Sequence, residues 1–133
     1  DFTVGGGSGD RPIVVSYASS PPADVVGSNP PRPTSRVGVV PSTCFVQYEF
    51  AGVLHGARNV AGARALVDFM LSKRFQEDMP LQMYVDPVVN GAKLPDVFTK
   101  FEVKPAHPLV MDPRQIGANR DQWIKDWTNI ATR

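Results

Sequence analysis

The sequence predicts an α/β fold, and three observations carry that expectation. A short, wholly apolar run at Ile13, Val14 and Val15 is bounded by turn formers, the pattern of a strand buried on both faces of a parallel sheet. Two later segments repeat apolar residues at spacings of three and four, the mark of helices that bury one stripe. Strand-like and helix-like segments mix along one chain of 133 residues, near the usual size of a single domain.

Taken in order, Gly5, Gly6, Gly7, Ser8 and Gly9 resemble a phosphate loop in composition only. They precede a strand, whereas a phosphate loop follows one and opens a helix, so a flexible end or turn is the simpler reading. Residues 11–17 form the first strand. Residues 18–36 hold Pro21, Pro22, Pro30, Pro31 and Pro33 among several serines, and predict a long loop with one short helical turn. Residues 43–53, with Phe45, Val46, Tyr48 and Phe50, form a second extended segment. Asn59 caps a helix to about residue 71, whose stripe is Val60, Ala63, Leu66, Val67 and Met70. Ser72 caps a shorter helix that Pro80 ends, and residues 81–94 are irregular or extended. A short helix is expected around Val97, Phe98 and Phe101. The last helix is the clearest: Asp112 caps it, Pro113 suits its first position, and Ile116, Arg120, Trp123, Trp127 and Ile130 line one face. The two tryptophans, four apart, are expected to pack against the domain.

Composition excludes several classes. Hydrophobic residues make up 42% and charged residues 20%, and the net charge of +1 is spread without a basic patch, so no nucleic-acid footprint exists. No apolar run reaches the roughly 18 to 20 residues of a membrane helix. Cys44 is the single cysteine, which leaves no internal disulfide and no thiolate cluster. His55 and His107 lie far apart, outside metal-ligand spacing, and no nucleophile stands beside a base, so neither a metal, a cofactor nor a catalytic residue is expected. The opening residues carry no basic start and apolar core of an export signal, and they begin without methionine. The chain is accordingly expected to be a piece whose natural start lies upstream.

Two segments could hold a ligand. Ser16, Tyr17, Ala18, Ser19 and Ser20 lie at the carboxyl end of the first strand, where open α/β sheets bind ligands. The plainer alternative is a turn with a half-buried tyrosine. Met83, Tyr84, Val85, Asp86 and Pro87 place a second aromatic in an irregular segment, where spacing alone favours packing over binding. An aromatic cleft with few charges would suit a planar organic cation.

The same residues resemble bacterial thiamine-binding solute receptors. Ile13 to Pro21 is similar to their Leu-Ser-Tyr-x-x-Ser-Pro element, and Phe45 to Glu49 to an aromatic-Leu-Gln-Val-Glu strand. Val67 to Gln76 is similar to a Phe-Leu-x-Phe-Met-x-Ser-x-x-Phe-Gln helix, and Asn119 to Trp127 to Gln-Arg-x-x-Trp-Ile-x-x-Trp. The resemblance implies part of a two-lobed periplasmic-binding architecture of type II, with residues of about 10–50 and 86–133 in the second lobe and 51–85 in the first. It implies a non-enzymatic component of an ABC importer outside the cytoplasm, periplasmic or extracellular. Such a component would bind thiamine or a related cation or phosphate ester between the lobes and dock on a membrane permease. Ligand-binding residues implied are Tyr17, Ser19, Ser20 and Tyr84, the last standing where the family has a stacking tryptophan. A second family tyrosine falls on Ala23, which puts thiamine itself in doubt. The alternatives are a receptor for ferric ion or polyamine, an α/β enzyme whose active site lies upstream, or an interaction module built on the proline-rich loop. By the same analogy the chain carries parts of both lobes, and the unpartnered stripes are expected either to make it self-associate or to leave it ordered only with the upstream half.

Overall fold

The computed structural model of the chain describes residues 12–132. The glycine-rich run and the start of the first expected strand lie outside them. Five α-helices follow in order: α1 (Ser20–Val26), α2 (Val60–Met70), α3 (Lys73–Met83), α4 (Asp96–Phe101) and α5 (Pro113–Ala131). Local chemistry accounts for their starts. The Asn59 side chain accepts from the Gly62 amide, that of Ser72 from Phe75 and that of Asp112 from Arg114, each meeting one of the donors a helix leaves open at its start. Pro21 and Pro113 lie in the first turns of α1 and α5, where a missing N–H costs nothing.

The α/β expectation finds no sheet among the described residues. Residues 13–17 run without a partner strand, and Val15 is 90% exposed. Without a neighbour to accept its ladder bonds or cover its faces, an apolar run is extended chain, not a buried strand. The second extended segment makes one parallel bridge, Phe45 to Leu109. There the Val46 amide donates to the Leu109 carbonyl at 2.9 Å and the Leu109 amide to the Cys44 carbonyl at 2.7 Å.

The core is small. Helix α1 packs on α4, and Phe98, Pro22 and Pro80 are the largest fully buried side chains. Helix α2 meets α3, and the buried Gln76 side chain ties their junction to the following segment: its Nε2 donates to the Met70 carbonyl at 2.8 Å and its Oε1 accepts from the Val88 amide at 2.7 Å. Helix α3 runs past Pro80 to Met83, a correction to the expected stop. Burial of the proline ring offsets part of the lost helical bond. Trp123 and Trp127 are also corrected: they stand on a helix with no buried residue, and Trp127 is 66% exposed.

Candidate functional site

The turn that opens α1 is built from serine hydroxyls. The Ser20 amide donates to the Tyr17 carbonyl at 3.0 Å, and the Ser20 hydroxyl accepts from the Tyr17 amide at 3.3 Å while sharing a 2.7 Å bond with Ser16 Oγ. The polar reach of Ser20 is thus spent locally, and the Tyr17 ring is left 73% exposed. Ser19 points the other way. It is 7% exposed, and its Oγ donates to the backbone carbonyl of Tyr84 at 2.7 Å, across 65 residues of sequence.

Tyr84 ends α3 in the left-handed region, with φ of 56° and ψ of 37°. Its amide still donates to the Pro80 carbonyl at 3.1 Å, and its ring stacks on that of Phe98, with centroids 6.5 Å apart and planes 19° from parallel. Phe98 is 1% exposed, so one side of the half-buried Tyr84 ring rests on a fixed floor. The structure therefore brings Ser19 and Tyr84 together, with Tyr17 and Ser20 on the adjoining turn. An open depression of about 450 Å³ on α2 and α3 is lined by Phe69, Arg74, Phe75 and Asp78, and none of the four predicted residues lines it.

Charged groups that spacing did not single out border this region. Lys104 Nζ lies 3.1 Å from Asp86 Oδ1 and 3.8 Å from Glu102 Oε2. Glu102 Oε2 is buried without a hydrogen-bond partner. Burial first, and the Asp86 carboxylate second, raise the Glu102 pKa above its ordinary 4.5, with Lys104 opposing them. The signal was present in two pieces: Asp86 is two residues beyond Tyr84 on extended chain, and Glu102 is four beyond Phe98, one helical turn away.

Asp24 was also missed. Its buried carboxylate accepts from Arg32 Nη1 at 3.1 Å, from the Arg36 amide at 2.8 Å and from Ser35 Oγ at 3.4 Å, which folds the proline-rich loop back onto α1. Among the described residues no group of three or more His, Cys, Asp or Glu side chains could hold a metal ion.

Comparison with known proteins gives a consistent result. No family model matches the chain, and no solved structure matches it at a significant level. Curated proteins do. It is 27% identical over 125 residues to the thiamine-binding periplasmic protein of Escherichia coli K12, an overlap of 94% of this chain and 37% of the relative. It is 28% identical over 127 residues to the protein of the same name from Brucella suis, again 94% of this chain and 37% of the relative. The chain thus spans a little over a third of the length of these relatives, and it is similar to them along nearly all of its own.

Proposed function

We propose that this chain is part of an extracytoplasmic solute-binding protein that serves an ABC importer. It would take thiamine, or a related small organic cation or phosphate ester, in a cleft between two lobes. No chemistry is required. The lobes close on the ligand, aromatic rings stack on it, and the closed form docks on the membrane permease. The single observation that carries this reading is the similarity to thiamine-binding periplasmic proteins over 94% of the chain.

The geometry supports it. The bond from Ser19 to Tyr84 joins the two segments expected to line the cleft. Contacts support the expected division into lobes only in part, because the Ser19–Tyr84 bond, the Tyr84–Phe98 stack and the Gln76–Val88 bond join residues 51–85 to the rest. Helices α1 and α4, and the Phe45 and Leu109 segments, pair within residues 10–50 and 86–133, while α2 meets α3 within 51–85. Tyr84 would present the ring face not resting on Phe98 to a cationic heterocycle, an interaction of roughly 0.5 to 2 kcal/mol by cation–π attraction. Tyr17 and Ser20 would border the same cleft.

A thermal-shift series on the full-length protein tests the reading with thiamine, thiamine phosphates, polyamines and ferric ion. Ligand at a hundred times its dissociation constant adds about 2.7 kcal/mol of stability. A shift with thiamine or its phosphates is expected. A transition unmoved by every thiamine compound would remove that specificity, and a shift with ferric ion or a polyamine alone would transfer the site to those solutes.

A further inference from the structure

We infer that Ser19 is a positioning residue for Tyr84, acting on ligand affinity through the Tyr84 carbonyl and not by touching the ligand. The inference rests on the reading of Tyr84 as a cleft aromatic. Ser19 has one hydroxyl proton, and the 2.7 Å bond to Tyr84 commits it. The residue is buried, at 7% exposure, so its hydroxyl is spent inside the protein. Its partner needs holding. Tyr84 is the one described non-glycine residue with positive φ, a conformation that a residue with a Cβ keeps only where its surroundings impose it.

Three contacts impose it here. The amide is fixed by the Pro80 carbonyl at the end of α3, the ring by Phe98 on α4, and the carbonyl by Ser19. The first comes from the residue's own helix and the second fixes only the plane of the ring. The bond from Ser19 sets the peptide that follows Tyr84, and with it the direction in which the ring leaves the backbone. Loss of that bond frees the carbonyl to turn, and the left-handed turn relaxes toward conformations that carry the ring off Phe98.

The test is thiamine affinity, by calorimetry on the full-length protein, for Ser19→Ala, Ser19→Thr, Tyr84→Ala and the Ser19→Ala/Tyr84→Ala double variant. Tyr84→Ala is expected to weaken binding about five- to thirtyfold through lost stacking. Ser19→Ala is expected to weaken it about three- to tenfold, the worth of one hydrogen bond. Ser19→Thr keeps the donor and is expected to stay within about twofold of the parent. The double variant is expected to bind no worse than Tyr84→Ala alone. Two results would overturn the inference while sparing Tyr84 as a ligand residue: full parental affinity in Ser19→Ala, or an undiminished Ser19→Ala loss in the Tyr84→Ala background, which would mean direct contact. Parental affinity in Tyr84→Ala would remove the underlying reading and this inference together. Should Ser19→Ala melt below the assay temperature, Ser19→Cys, with a weak thiol donor, serves in the same cycle.

Discussion

Two charged side chains govern more of this chain than their positions in the sequence reveal. Asp24 sits among prolines and valines, and nothing in its spacing announces that it gathers Arg32, Ser35 and the Arg36 amide. Its carboxylate is buried while the Arg32 and Arg36 side chains are 34% and 47% exposed. Removal of the acid therefore strands cations that water can still reach, which moderates the loss. Asp24→Ala is expected to cost about 1 to 3 kcal/mol, read from a urea midpoint, with faster amide exchange across residues 28–37. Glu102 sets a pH dependence of opposite sense to most carboxylates. Burial and the neighbouring Asp86 raise its pKa in the folded state above 4.5. Its contribution to stability is thus fully present below 4.5 and is lost as pH rises through the elevated folded value. Glu102→Gln should flatten that loss of stability, and an unchanged midpoint-against-pH profile would show that another group carries it. The sequence showed Tyr17, Ser19, Ser20 and Tyr84 as candidates. It did not show that Ser19 and Tyr84 bond to each other, because a contact across 65 residues leaves no periodic trace.

At the scale of elements, helix starts were the most legible feature. Asn59, Ser72 and Asp112 each accept a backbone amide where the sequence placed a cap, because capping depends on a side chain and an amide two or three residues away. Ser72→Ala is expected to cost about 1 kcal/mol in the same urea assay, against a surface control such as Thr99→Ala near zero. The stop of α3 was misjudged because a proline's penalty is local, whereas the burial that offsets it comes from the tertiary packing around Pro80. The strands were illegible for a related reason. An apolar run states that a segment needs cover but cannot supply the neighbour, and residues 13–17 have none here. Helix α5 poses the same problem, since its cap is as expected while its stripe lies uncovered, with Trp127 exposed. Trp127→Ala is expected to change the stability of the 133-residue chain by less than about 0.5 kcal/mol. In the full-length protein, cover over this face would raise the cost to about 3 to 5 kcal/mol. Equal small losses in both would mean that the tryptophan faces water throughout.

For the whole molecule, accessible surface makes the strongest statement. A compact monomer of 14.5 kDa exposes about 6,900 Å² by the usual scaling, and this chain exposes 10825 Å². Exposed apolar side chains account for part of the excess, among them Ile13, Phe45, Phe50, Leu66 and Ile130. Surface of that kind associates, and an open bridge such as that at Phe45 offers unpaired backbone to a neighbour. We therefore predict that the isolated 133-residue chain self-associates. Light scattering giving a stable, well-folded monomer at high concentration would contradict that, and would also remove the assignment of its segments to two lobes. The central claim, that the protein captures a thiamine-like solute without altering it, is tested most directly by equilibrium dialysis of the full-length protein against thiamine, with mass analysis of the released solute. The account predicts saturable binding at one site per chain and thiamine returned unchanged. Absence of binding would contradict the assigned ligand, and recovery of a converted product would contradict the claim that the protein only binds.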